Sequence, residues 1–215
     1  MFKPKIPVVL AVALALAAPA VAQMTAPTQP VVTRAVGGSS NVSLISAGTY
    51  SVDTNHTQVA WAVNHLGFNV YNGIFGGATG SLTLDPVRPA AASVSIDIPI
   101  AAVVTTRQGL TEHLQKPEFF DVAKTPMATF RSTRVTISGT KAKIFGNLTL
   151  RGVTRPVVLD AHFVGAGVNP MNKKATIGFE ATASVSRSDF GIMYGLPGVG
   201  NQVELRITAA FERAA

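Results

Sequence analysis

One group of residues comes nearest, by type and spacing, to forming a catalytic or metal site. It consists of Asp53, His56 and His65. A carboxylate and two imidazoles are common zinc ligands, and bound zinc activates water for hydrolysis. However, no two histidines in the chain have the His-x-x-x-His spacing that places two ligands on one face of a helix. A turn in which Asp53 and His56 satisfy backbone groups is the alternative that this spacing favours.

The sequence contains no recognisable set of residues for nucleophilic catalysis. The chain contains no cysteine and no Gly-x-Ser-x-Gly segment, so neither common nucleophile is present in its usual context. The glycine-rich segment 195–200 is not placed between a strand and a helix as a phosphate-binding loop would be. We therefore predict that the protein is not an enzyme and uses no metal or cofactor.

Basic residues outnumber acidic ones, and the formal net charge is +7. Lys141, Lys143, Arg151 and Arg155 fall on one predicted hairpin, where they form either a solvated face or a rim that attracts an anionic head group. The sequence lacks basic strands interleaved with aromatic residues, so nucleic acid is not an expected partner.

The N-terminus has the pattern of a secretory signal peptide. Lys3 and Lys5 precede an apolar stretch at 6–18, and Ala20-Val21-Ala22 supplies small residues for cleavage. The stretch is shorter than the ~20 residues that a membrane-spanning helix needs. We predict a signal peptide at 1–22, a flexible segment at 23–48 and one folded domain at 49–215, acting in the periplasm.

From Tyr50 onward, apolar and polar residues alternate with the period of two that is typical of strands with one buried face. Turn dipeptides such as Asp85-Pro86 and Ser138-Gly139 separate the alternating segments and favour antiparallel hairpins. Eight strands are predicted, at 58–64, 74–84, 92–100, 128–138, 141–150, 155–164, 175–186 and 202–212. Eight antiparallel strands favour a closed barrel, because closure removes exposed edges.

Residues 105–121 break this alternation. They predict one or two short helices, at 106–114 and from Lys116, where Pro117 suits a first helical turn. We expect these helices near the barrel opening.

An eight-stranded barrel has either a filled core or room for one small ligand. Several small residues are candidates for the inward face, which would leave space: Gly73, Gly76, Gly77, Gly80, Gly146, Ala181 and Ala183. Glycines in strands also mark bulges and tight bends, so these residues alone leave both alternatives open.

An ordered series of short motifs resembles the YceI-like polyisoprenoid-binding family of the bacterial periplasm. The motifs are Tyr50-x-x-Asp53-x-x-His56, His65-Leu66-Gly67, Gly73-x-Phe75, His113-Leu114, Phe119-Phe120-Asp121-Val122, Pro126-x-x-x-Phe130-x-Ser132-Thr133, Gly146-x-Leu148 through Pro156, and Arg187-x-Asp189-Phe190-Gly191. One departure is Leu110-Thr111, where the family usually has Arg-Asp, so head-group selectivity is expected to differ.

This resemblance implies a lipocalin-like barrel that encloses a long isoprenoid chain of the quinone or polyprenyl type. The candidate wall residues are Phe68, Phe75, Phe119, Phe120, Phe130, Phe190 and Met193. Candidate polar contacts near the mouth are His65, Arg187 and Asp189. The membrane surface or anionic head groups are further candidate partners, and a dimer is one alternative for the oligomeric state. A stress-related interaction protein with a filled barrel, acting through its basic surface, is the alternative function.

Overall fold

The computed structural model describes residues 37–213. Its strands are β1 (Gly38–Ser39), β2 (Gly48–Val52), β3 (Gln58–His65), β4 (Asn69–Phe75), β5 (Thr79–Leu84), β6 (Ser93–Pro99), β7 (Val103–Val104), β8 (Met127–Ser138), β9 (Lys141–Leu150), β10 (Val153–Val168), β11 (Ala175–Ser186) and β12 (Val199–Glu212). The α-helix of this part of the chain is α1 (Gln108–Leu114), and short 3-10 helices lie at Val42–Leu44, Pro89–Ala91, Ile100–Ala102 and Arg187–Phe190. No helix among residues 37–213 is long and apolar enough to cross a membrane.

Eight of these strands close into an antiparallel barrel. The order around it is β2, β5, β6, β8, β9, β10, β11 and β12, and β12 returns to β2 through Phe211 and Val52. The predicted all-β, eight-stranded antiparallel barrel is confirmed. Seven of the predicted segments each correspond to one strand, whereas 74–84 covers the end of β4, a break at 76–78 and β5, and β2 was not predicted. The alternating pattern suffices here because it depends on each strand's own residues.

The first part of the barrel wall is bent. β2 and β3 pair with successive parts of β12, and the chain between them turns at Asp53–Thr57. The buried Thr57 hydroxyl donates to the Ala210 carbonyl at 3.2 Å and accepts from the Ala210 amide at 3.1 Å. The side chain of Thr57 thus satisfies backbone groups that the bend would otherwise leave unpaired.

The segment after α1 differs from the second predicted helix. Residues 116–124 form successive turns, in which the Phe120 amide donates to the Leu114 carbonyl and the Asp121 amide to the Lys116 carbonyl. Asp121 has a positive φ of 49°, which a right-handed helix cannot continue through. Of the one or two short helices that were predicted, the structure therefore has one α-helix, α1, and a series of turns after it.

The N-terminal part of the described chain is ordered, although a flexible segment was expected through residue 48. β1 pairs with β10, with Gly38 opposite Gly167, and Ile45 packs against the core cluster that contains Tyr50. The Tyr50 hydroxyl donates to the Ser46 carbonyl at 2.7 Å. Residues 37–47, the strap, thus pass across one barrel end from β10 to β2. The predicted signal peptide, its cleavage site and residues 23–36 lie outside the described residues.

Candidate functional site

The barrel encloses a cavity of about 180 Å³ whose exposed surface is apolar. Inward side chains from β5, β6, β8, β9, β10, β11 and β12 form most of its wall. The principal lining residues are Leu82, Val94, Ile96, Ile98, Phe130, Val135, Ile144, Leu148, Val157, Leu159, Ala161, Phe163, Phe179, Ala181, Leu205, Ile207, Ala209 and Phe211. Such a surface favours an apolar occupant, because burial of hydrocarbon is the main interaction that it offers.

The cavity extends toward one end of the barrel, which we call the mouth end. Leu84, Ala92, Ile137 and Ala142 belong to its lining and adjoin the β5–β6 loop and the β8–β9 turn. Ile137 faces this space yet remains 41% exposed. The lining therefore reaches solvent at the end of the barrel that the strap crosses.

A cluster of side chains fills the opposite end, and we call it the plug. Its buried members are Trp61, Val103 and Leu114, the last of which belongs to α1. Phe75 and Phe120 pack against them with their ring centroids 5.5 Å apart. The helix expected near an opening therefore covers the closed end of the barrel.

Among the ten predicted site residues, Phe130 lines the cavity and is 6% exposed. Phe75, Phe119 and Phe120 belong to the plug. Phe190 is 2% exposed and lies in the loop between β11 and β12. The structure thus brings one predicted wall residue to the cavity and assigns three others to its closed end.

The remaining predicted contacts are at the plug end, away from the cavity lining. Phe68 is 90% exposed and Met193 is 58% exposed. His65 and Asp189 are also exposed. Phe68 and Met193 were predicted to line the wall, and His65 and Asp189 to lie near the mouth. The strand directions place all four at the end of the barrel opposite to the mouth end.

Arg187 is buried and bound to the backbone of its own loop. Its guanidinium donates to the carbonyls of Tyr194 at 2.7 Å, Gly200 at 2.8 Å, Val199 at 2.9 Å and Ile192 at 3.2 Å. Burial lowers the pKa of the guanidinium. With its donors used in this way, Arg187 holds the β11–β12 loop together rather than reaching toward the cavity.

The glycines that suggested interior space have other packing roles. A Cβ at Gly73 would overlap the Trp61 indole, and a Cβ at Gly146 would overlap the Phe130 ring. At Gly80 a Cβ would overlap the Ser95 carbonyl on the neighbouring strand. These glycines admit a close neighbour, whereas the cavity is bordered by aliphatic side chains and alanines.

Asp53 and His56 meet in the turn before β3, where the His56 Nδ1 to Asp53 Oδ2 distance is 2.6 Å. Asp53 also accepts from the Asn55 amide at 3.1 Å. His65 lies at the far end of β3 and is therefore separated from them by the length of that strand. No group of three histidine or acidic residues suited to a metal ion occurs between Gly37 and Arg213.

The four basic residues expected on one hairpin are divided between its two ends. Lys141 and Lys143 are near the mouth end, where Lys143 Nζ lies 2.6 Å from Asp160 Oδ1. Arg151 is at the plug end and donates to the Pro117 carbonyl at 2.9 Å. A single rim that contains all four is excluded by the length of β9.

Comparison with known proteins decides the family. The YceI-like domain family matches residues 50–211. The chain belongs to this family.

Protein YceI of Salmonella arizonae is 38% identical over 164 residues, which cover 75% of this chain and 85% of the relative. Burkholderia cenocepacia BcnA shares the fold with a TM-score of 0.67, 21% identity and coverage of 74% and 98%. A polyisoprenoid binding domain from Saccharophagus degradans implicated in plant cell wall breakdown has a TM-score of 0.57, 13% identity and coverage of 77% and 98%.

In this YceI-like chain, Leu110 and Thr111 occupy the position at which the resemblance predicts a charged pair. Leu110 packs against the plug. The Thr111 hydroxyl accepts from the Thr105 amide at 3.0 Å and contacts the Thr105 hydroxyl at 2.9 Å. The departure therefore affects the closed end, where it adds apolar packing and a local hydrogen bond.

The aliphatic lining of this YceI-like barrel was not among the predicted site residues. Ile96, Ile144, Leu159 and Ile207 all face the cavity. Their positions in alternating segments were visible in the sequence, and this alternation was the signal that identifies them.

Proposed function

We propose that this protein is a periplasmic binding and carrier protein for a long-chain isoprenoid lipid of the quinone or polyprenyl type. The observation that carries the proposal is the apolar cavity of about 180 Å³. A barrel with a filled core would offer a partner only its outer surface. The cavity instead offers an isoprenoid tail a site from which water is displaced.

The cavity volume limits how much of a tail it holds. An engineered apolar cavity of about 150 Å³ binds benzene. A cavity of about 180 Å³ therefore accommodates roughly one to two isoprene units with the side chains in their present positions. We infer that the end of the tail occupies the cavity, while the rest of a longer chain and its head group lie toward the mouth end.

Two further observations support the proposal. The Saccharophagus degradans protein that shares this fold is named as a polyisoprenoid binding domain. The N-terminal pattern of Lys3, Lys5, an apolar stretch and Ala20-Val21-Ala22 predicts export, which motivates the periplasmic assignment.

Binding without catalysis is part of the proposal. The exposed surface of the cavity presents carbon and no polar atoms. A group that polarises or attacks a substrate bond must lie within hydrogen-bond reach of that bond. Thr57, His162 and Glu180 also border the cavity, but none of them presents a polar atom to the space that an isoprenoid tail would occupy.

The test uses the protein in the form that a bacterial host accumulates. Lipids extracted from the purified protein are identified by mass spectrometry. Delipidated protein is then titrated with quinones that share one head group and carry none, one, two or four isoprene units. Fluorescence of Trp61, the single tryptophan, reports binding because its strand partner Leu205 lines the cavity.

We expect affinity to rise over the first one or two isoprene units and to change little with ionic strength. Screening weakens attraction between exposed charges and has little effect on an apolar contact. Absence of both copurified lipid and quinone uptake would refute the carrier function. If the affinity does not depend on the length of the tail and falls with added salt, the result would favour the alternative function, in which the basic surface binds an anionic partner.

A further inference from the structure

The mouth end presents two nearly fully exposed apolar side chains. Val87, in the β5–β6 loop, is 88% exposed, and Met171, in the β10–β11 loop, is 91% exposed. Both loops are at the mouth end because they follow strands that run toward it. Among residues 37–213, no neighbouring group covers an appreciable part of either side chain.

Hydrogen bonds fix the loops that carry these residues. Asp85 accepts from the Val87 amide at 2.9 Å and from Arg88 Nε at 3.0 Å. Asn169 accepts from the Met171 amide at 2.9 Å. The two apolar side chains are thus held outward, so their exposure is a property of ordered loops.

Charges at the mouth end leave an excess of cations. Three of its carboxylates have a basic partner: Asp85 with Arg88 at 3.0 Å, Asp160 with Lys143 at 2.6 Å, and Glu212 with Lys174 at 3.0 Å. The exposed Lys141 and Lys173 have no carboxylate within ion-pair distance among residues 37–213. Exposed apolar groups beside uncompensated lysines are the combination that binds anionic lipid surfaces.

We propose that the mouth face, formed by Val87, Arg88, Lys141, Met171 and Lys173, docks on an anionic lipid bilayer. Val87 and Met171 enter the interface, while Lys141 and Lys173 contact anionic head groups. Docking at this end brings the cavity lining at Ile137 and Ala142 to the membrane. This inference deepens the proposed function, because a tail then passes between bilayer and cavity with little exposure to water.

The plug end is the competing surface. Leu66 is 54% exposed and Phe68 is 90% exposed, so this end also presents apolar side chains. Side chains of the plug close the barrel beneath it. A carrier docked there would have its cavity directed away from the membrane, which is why we assign docking to the mouth face.

The test is flotation of the protein, in the form that a bacterial host accumulates, with vesicles of two compositions. One is phosphatidylcholine alone, and the other is phosphatidylcholine mixed with phosphatidylglycerol. We expect binding to the mixed vesicles that weakens with added salt. The double variant Val87→Ser/Met171→Ser and the double variant Lys141→Gln/Lys173→Gln should each bind at least about tenfold more weakly.

The matched controls are at the plug end: Leu66→Ser/Phe68→Ser for the apolar change and Lys116→Gln/Lys124→Gln, at two exposed lysines of the turns after α1, for the loss of two charges. Both should bind like the unmodified protein. If the Leu66→Ser/Phe68→Ser variant loses binding while the mouth-face variants keep it, the docking assignment is overturned. Failure of the unmodified protein to float with anionic vesicles overturns it as well.

Quinone titration without vesicles separates the two proposals. The mouth-face variants should bind a short-tailed quinone in solution as the unmodified protein does, because none of the substituted side chains lines the cavity. If vesicle binding follows the mouth face but no variant or unmodified protein takes up quinone, docking stands and the carrier function fails. If quinone uptake holds and vesicle binding fails, the carrier function stands without this docking surface.

Discussion

Replacement of Ala181 by phenylalanine tests whether the cavity holds the lipid tail. Ala181 lines the cavity in β11 and is 7% exposed. Its partner on β10, Ala161, is equally small and also lines the cavity. A ring introduced at position 181 has the cavity as its nearest free space.

The expected loss of affinity follows from the cavity volume. Benzene occupies an engineered cavity of about 150 Å³, so a benzyl side chain takes most of the space of about 180 Å³. The tail then loses burial of roughly one isoprene unit, whose five carbons contribute about 4 kcal/mol at ~0.8 kcal/mol each. After allowance for the cost of ordering the tail, about 2–4 kcal/mol remains, or roughly 30- to 700-fold in Kd.

Stability should change less than affinity. Removing a cavity of this size is worth up to roughly 4 kcal/mol at ~24 cal/mol per Å³. Overpacking costs about 1–3 kcal/mol, so the two effects largely cancel. Denaturant unfolding should place Ala181→Phe within about 2 kcal/mol of the unmodified protein.

The assay is calorimetric titration with a quinone that carries two isoprene units. Thr182→Phe is the matched control, because Thr182 is the exposed neighbour on the outer face of β11. It should bind like the unmodified protein. If a folded Ala181→Phe protein binds the quinone with undiminished affinity, the tail does not lie in this cavity. If Ala181→Phe and Thr182→Phe lose equal affinity, the loss does not depend on the inner face of β11.

Three further predictions concern the framework of the barrel. Arg187→Met should lower the free energy of unfolding by about 3–5 kcal/mol, measured by denaturant titration, because it leaves several loop carbonyls without their donor. Gly73→Ala should cost at least about 1–3 kcal/mol in the same assay, because the added methyl overlaps the buried Trp61 indole. Side-chain hydrogen bonds from Asn172 and Lys174 lower the pKa of Glu212, so its ionised form stabilises the folded state above the ordinary glutamate pKa of about 4.3. Thermal unfolding should therefore show Glu212→Gln less stable than the unmodified protein at neutral pH, with the difference shrinking as the pH falls below that value; a difference independent of pH would contradict the assignment.

The strands could be predicted from the sequence because their signal is local. In β12, Val203, Leu205 and Ile207 alternate with polar residues, and one register alone buries the apolar set. Closure of the barrel then follows from the number of strands and the short turns between them.

The site was harder to predict because it depends on contacts between distant segments. Aromatic residues were predicted to form the wall of a lipid site, yet Phe75 and Phe120 meet in the plug. The register between strands decides whether an inward-facing residue borders the cavity or is covered by a side chain of the adjacent strand. Gly146 illustrates this point, since the Phe130 ring of the adjacent strand covers it.

The role of Arg187 depends on a loop whose course has no periodic signal. Its carbonyl partners lie between Ile192 and Gly200, and only the folded loop brings them around the guanidinium. A charged residue in a family motif therefore suggested ligand contact, although here it organises backbone.

The plug makes the cavity a dead end. A molecule that enters past Ile137 meets Trp61 and Leu114 beyond the inner limit of the free space, so it must leave by the route it came in. Two lipid tails cannot pass each other in such a space, so a second tail can enter only after the bound tail has left. Exchange between bound and free lipid should then proceed at a rate set by departure alone, whatever the concentration of the competitor.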